Sequence, residues 1–183
     1  MTSVLTHFLA ASIFGFGQLA GGTGDPLKIK PVQKIAGGDS SVHAPLVRMI
    51  SDDGKWSELW NIHKGIPAVV DTAGHVTYPD APKPPTVDFA KNQVLVVFGG
   101  KLPNVQAYDY VKTYAADDTA VVQLSQNFVT NAADIKTYYP FILLVVPKEP
   151  VKIEVQLDSV AKDGSHFWMT LAKYGIPKDQ KSG

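Results

Sequence analysis

The chain has 183 residues, 45% of them hydrophobic and 19% charged, with 17 basic side chains against 17 acidic ones and no cysteine. That charge balance leaves no general field to draw in nucleic acid or acidic lipid, and the composition is that of a globular chain rather than a disordered one. The lack of cysteine excludes disulfides, thiol nucleophiles, Cys-ligated zinc, iron–sulfur clusters and a cysteine-borne lipid anchor.

Residues 1–24 hold no acid and no Lys or Arg, and Val4 to Ala20 is mostly apolar. Small residues Ala20, Gly21 and Gly22 follow. The pattern predicts a signal peptide over residues 1–22; it is too short and too broken by glycine for a comfortable membrane span. Its only positive groups are the initiator amine and His7. The expectation is therefore an exported protein, periplasmic or secreted, with no stable membrane span after cleavage.

Residues 23–45 are punctuated by Gly and Pro and read as an irregular lead-in. A single β-rich domain is expected over 46–174, with a flexible tail at 175–183. After leader and tail are set aside, about 150 residues remain, enough to bury about 70% of the unfolded surface in one core. Leu46 to Ile50 suits a short strand. A helix follows, capped by Ser51, Asp52 or Asp53. In it Trp56, Leu59, Trp60 and His63 recur at i, i+3, i+4 and i+7, which turns one stripe to the core. Gly65 and Pro67 end it, and His63 is expected as a cation at its negative terminus.

Ala68–Val70 and His75–Tyr78 suit a small hairpin around Thr72-Ala73-Gly74. The proline-rich run from Pro79 to Pro85 must stay extended. From Val87 onward the pattern is strand. Gln93 to Phe98 is almost wholly apolar. Val105 to Tyr114 alternates, with Gln106, Tyr108, Tyr110, Lys112 and Tyr114 expected on one face. Thr119 to Phe128 follows a turn at Ala115 to Asp118, and Asn131 to Lys136 is expected to be a loop. Phe141 to Val146, apolar on both faces, is expected at the centre of a sheet. Val151 to Asp158 alternates between buried and wet, and Phe167 to Tyr174 closes the domain. The fold class is mainly β (α+β), an antiparallel β-sandwich or open barrel with one short N-terminal helix.

No catalytic constellation emerges. Five histidines are present, but no serine sits in a nucleophile elbow, and Gly99-Gly100-Lys101 lacks the spacing of a phosphate loop. Asp71, His75 and Asp80 share one loop, with His63 upstream, yet the spacing fits no standard metal site, and aspartates there suit turn capping. Asp52-Asp53 reads as a cap and Asp117-Asp118 as a turn rather than a glycosidase pair. No catalytic residue, metal site or cofactor is assigned. Tyr108, Tyr110 and Tyr114 are the candidate binding residues. On a sheet surface they would stack on sugar rings or form a protein-binding patch; the alternative is cross-strand packing in the core. Leu102, Pro103 and Asn104 form a second candidate surface, a loop suited to a protease cleft.

Two further stretches carry a resemblance: Val87-Asp88-Phe89-Ala90-Lys91-Asn92-Gln93-Val94-Leu95-Val96-Val97-Phe98-Gly99-Gly100, and Tyr139-Pro140-Phe141-Ile142-Leu143-Leu144-Val145-Val146-Pro147-Lys148. With the tryptophan helix before them and the alternating strand after, they resemble the C-terminal domain of the PrcB-like family, over about residues 50–160. The family is named for an accessory subunit of a bacterial surface protease complex. Its members tend to carry a Gly-Gly-Tyr-like turn where this chain has Lys101 to Tyr108 without a glycine pair. The resemblance implies an extracytoplasmic, non-enzymatic domain that accompanies another envelope or secreted protein, such as a protease. A glycan- or cell-wall-binding module and a sandwich-type protease inhibitor are the alternatives.

Overall fold

A computed structural model describes residues 30–129, 135–148 and 152–175. The expected leader and most of the tail lie outside the described residues. In chain order the elements are β1 (Gln33–Gly37), β2 (Pro45–Ile50), α1 (Asp53–His63), β3 (Val69–Val70), β4 (Val76–Thr77), β5 (Asn92–Gly99), β6 (Leu102–Pro103), β7 (Val105–Ala116), β8 (Thr119–Phe128), β9 (Thr137–Tyr138), β10 (Phe141–Pro147), β11 (Lys152–Val160) and β12 (His166–Tyr174). Among the described residues the fold is mainly β with one helix and no closed barrel, a β-sandwich-like α+β arrangement as the patterning predicts.

Two four-stranded sheets make the sandwich, one in the order β1-β10-β5-β2 and one in the order β12-β11-β8-β7. The first is antiparallel throughout. In the second, β11 runs parallel to β8. The parallel pair departs from the all-antiparallel expectation. It arises because the chain leaves β8, crosses to the first sheet as β10, and returns as β11.

The apolar runs of β5 and β10 are buried on both sides, and alternation sorts their side chains between two cores. Leu95, Val97, Ile142, Leu144 and Val146 face the second sheet, meeting Val122 and Leu124 of β8 and Ile153 and Val155 of β11. Val94, Val96, Phe98, Phe141, Leu143 and Val145 face the other way, against Trp56, Leu59 and Trp60 of α1. The molecule thus has three layers: helix, sheet, sheet. Each of these aliphatic side chains, fully withdrawn from water, favours folding by about 1.5–3 kcal/mol before entropy is counted.

The helix starts where the sequence predicts. Asp52 is its N-cap and its Oδ1 accepts the Lys55 amide at 2.9 Å. The side chain of Trp56 donates from Nε1 to the Pro85 carbonyl at 2.9 Å, tying the proline-rich segment over the helix. Asp88 fixes the entry to β5: its Oδ1 accepts from Ala90 N–H, and its carbonyl accepts from Lys91 and Asn92.

Two expectations need correction. The lead-in at 23–45 is not irregular throughout, since β1 lies inside it and pairs with β10 along Gln33 to Gly37. His63 is not a cation at the helix end. It is 1% exposed, its Nδ1 lies 3.0 Å from Ser40 Oγ, and the rings of Trp60, Phe98 and Phe141 surround it. Burial pushes its pKa down to about 4, with the Lys64 charge adding to the effect and Asp39 opposing it. The imidazole is therefore neutral at physiological pH.

Candidate functional site

The two sides of the sandwich differ. On one, β1 approaches β7 so closely that a Cβ on Gly38 would collide with the Gln106 carbonyl. On the other, between edge strands β2 and β12, the layers part around a cleft of about 490 Å3. Pro45, Leu46 and Val47 form one lip, Met169, Leu171 and Ala172 the other, and Val97 and Leu157 lie between. Tyr108, Leu102 and Gln126 close its inner end.

The strand β12 is an unusual lip. It pairs with β11 on one side, and among the described residues no strand pairs with its other side. Phe167, Trp168 and Met169 are 47%, 42% and 41% exposed. Edge strands usually carry charge, proline or a bulge that blocks further pairing. Here one residue, Leu171, is bulged against β11 between Thr170 and Ala172, and the stretch before it is apolar. Three consecutive large apolar side chains on an open edge form a ready template for another strand.

The candidate residues from the sequence separate when placed on this frame. Tyr108, Tyr110 and Tyr114 do not share one face, because the second of two bulges in β7 falls between Tyr110 and Tyr114. Its register against β8 shifts between Val105 and Ala107 and again between Tyr110 and Lys112. Each extra residue inverts the inside–outside alternation. Tyr108 is therefore 3% exposed in the inter-sheet core, and burial raises its pKa. Tyr110 packs against the same core, its hydroxyl donating to Thr113 Oγ1 at 3.1 Å. Beyond the second bulge Tyr114 points outward, with the Lys112 ammonium 5.5 Å from its ring centroid. An exposed three-tyrosine platform does not exist.

Leu102 and Pro103 form β6, paired with β9 at Tyr138 and Thr137. Asn104 follows in the left-handed region at φ 57; its Oδ1 accepts the Lys136 amide at 3.0 Å and its carbonyl accepts the Val129 amide at 2.9 Å. The segment is braced against its neighbours rather than projecting. Of the six residues, the structure brings only Leu102 and Tyr108 to the cleft. The exposed edge of β12 had no sequence signal beyond its apolar character, because nothing local says which strand ends a sheet.

Asp71 and His75 remain a local turn device. The Asp71 carboxylate accepts the Ala73 and His75 amides and lies 2.9 Å from His75 Nδ1. No group of three His, Asp or Glu side chains suited to a metal occurs among the described residues.

Gly99 sets the inner wall of the cleft. A Cβ there would collide with the Tyr108 hydroxyl and stand 3.0 Å from both Leu102 and Pro140. Gly99→Ala is expected to destabilise the protein by about 1–3 kcal/mol, the usual cost of overpacking. An unchanged urea midpoint would show that the Tyr108 ring moves aside freely.

These features define a three-layer α/β/β sandwich with one sealed flank and one open flank. Comparison with protein-family models, curated proteins and solved structures found no significant match.

Proposed function

We propose that the protein is an exported, non-catalytic binding module that docks an extended segment of an envelope or secreted partner protein along β12. The observation that carries this reading is the open edge itself: Phe167, Trp168 and Met169 lie exposed on a strand whose outer side pairs with no described strand. An added strand gains backbone hydrogen bonds from such an edge, while alternate side chains give specificity. The cleft beside β12 offers an apolar seat for one of them. The resemblance to PrcB-like accessory domains and the leader-like residues 1–22 support an extracytoplasmic partner. The buried position of the Ser40–His63 pair supports a non-catalytic role, since neither side chain has access to a substrate.

The test is a photo-crosslinking side chain placed at Trp168 in the cells that make the protein. One stoichiometric partner should be captured there, and much less from the same probe at Lys34 on β1. Trp168→Lys should abolish co-purification of that partner while shifting stability by no more than about 0.5 kcal/mol, as for other surface positions. Recovery of the protein as a lone monomer under mild conditions, with no crosslink at Trp168, would overturn the reading.

A further inference from the structure

The helix α1 has a second stripe besides the one that meets the sheet. Gly54, Ser57, Glu58 and Asn61 recur at i, i+3, i+4 and i+7 and so share a face. On that face Gly54 and Glu58 are exposed, Ser57 is half-buried and Asn61 is buried. With Val76 and Tyr78, from β4 and the residue just after it, it lines a cavity of about 410 Å3. The volume falls within the range of small-molecule sites.

Asn61 is the unusual member. It is 6% exposed, and its Oδ1 is buried with no hydrogen-bond partner. A buried amide oxygen left unpaired costs about 1–3 kcal/mol, so its retention on the polar side of a helix calls for a reason other than packing. The remaining walls supply a carboxylate from Glu58, a hydroxyl from Ser57, a phenol from Tyr78 and the apolar surface of Val76. A polar rim of donors and acceptors thus faces an aromatic and aliphatic wall.

We propose that this cavity binds a pyranose ring. A sugar ring matches both halves of the lining. Its hydroxyls give and accept hydrogen bonds with Glu58 and Ser57, and reach the Asn61 oxygen once that side chain turns toward the cavity, while its C–H face packs on the Tyr78 ring, as apolar groups do on aromatic faces. The single carboxylate is an acceptor for two neighbouring hydroxyls. The site is separate from the β12 edge, on the opposite outer layer of the molecule, and it uses none of the β7 tyrosines.

The experiment is a saturation-transfer and chemical-shift titration of the whole protein with methyl glucoside, methyl galactoside, N-acetylglucosamine and a chitin tetrasaccharide. At least one should bind saturably, with Kd on the order of a millimolar for a single ring. A monosaccharide binding as tightly as the tetrasaccharide would mark a free sugar as the ligand; a tighter tetrasaccharide would mark a glycan chain. Tyr78→Ala should weaken binding about tenfold, and Glu58→Gln, an exposed change that leaves the helix intact, by about threefold to tenfold. No saturable binding by any of the four sugars would overturn the proposal, as would binding that both variants leave within about twofold.

Discussion

Trp56→Ala should destabilise the protein by about 3–5 kcal/mol, the range for deleting a large buried aromatic side chain. Trp56 is 2% exposed, packs at 5.6 Å from the Trp60 ring, and belongs to the core between α1 and the first sheet. Its Nε1 hydrogen bond to Pro85 adds a second loss, because the carbonyl loses its partner and the proline-rich segment its tether. Trp56→Phe separates the two: it keeps most of the apolar contact and should cost about 1–2 kcal/mol for the lost bond and the smaller ring. Both are read from urea midpoints followed by circular dichroism and by the fluorescence of the remaining tryptophans. The two probes should report one transition, since β5 and β10 contribute to both cores and couple the helix to the far sheet. A cost below about 1 kcal/mol for Trp56→Ala would mean that the helix layer is an appendage rather than part of the cooperative unit.

That coupling explains which parts of the fold were legible in the chain. The runs at Val94 to Phe98 and Phe141 to Val146 are apolar at every position, and only a strand covered on both faces needs that. The layers on either side of the first sheet follow from it. The helix was legible because its cap, its stripe and its stop all agree. His63 belongs to that stripe as its fourth member, and the stripe was the better guide: the pull of a helix C-terminus on a cation is weak beside the cost of leaving the space between Phe98 and Phe141 unfilled. The β7 tyrosines misled for a different reason. A single extra residue, Val111, inverts the alternation, and nothing in Val105 to Ala116 marks it, because a bulge is decided by how β7 pairs with β8. The same holds for β1: five residues, Gln33 to Gly37, carry too little periodicity to declare a strand, and β10 supplies the ladder that makes them one. The polar stripe from Gly54 to Asn61 was present at helical spacing, but its roof comes from Val76 and Tyr78 across a hairpin, a pairing that local sequence does not encode.

Lowering the pH from 7 to 4.5 should destabilise the protein through His63, and His63→Phe should remove most of that dependence. Folding holds the His63 pKa near 4, against 6.5 for a free histidine. The unfolded chain therefore binds a proton that the folded one refuses, and stability falls as pH drops from 6.5 toward 4. The contribution is fully present above 6.5 and gone below 4; across the whole window it amounts to about 3.5 kcal/mol, at about 1.4 kcal/mol per pH unit. Carboxylates act in a lower range. Glu154, whose pKa is brought to about 2 by hydrogen bonds from Gln156, Thr170 and Lys173, loses its contribution only between 4.5 and 2. The difference between the wild-type protein and His63→Phe in denaturation midpoints at pH 7, 5.5 and 4.5 thus isolates the histidine. The structural reason is the setting of the ring: the arrangement that satisfies most groups has the Ser40 hydroxyl donate to Nδ1 while Oγ accepts the Val42 amide at 3.0 Å. A protonated ring would instead place a charge among Trp60, Phe98 and Phe141 with no carboxylate in hydrogen-bond contact. Phenylalanine fills the same space and titrates nowhere, so His63→Phe should show a nearly flat profile from pH 7 to 4.5 even if the unpaired Ser40 hydroxyl lowers its stability at neutral pH by about 1 kcal/mol. Equal pH slopes in the two proteins over that range would show that the ring opens to solvent on protonation and carries no linkage of its own.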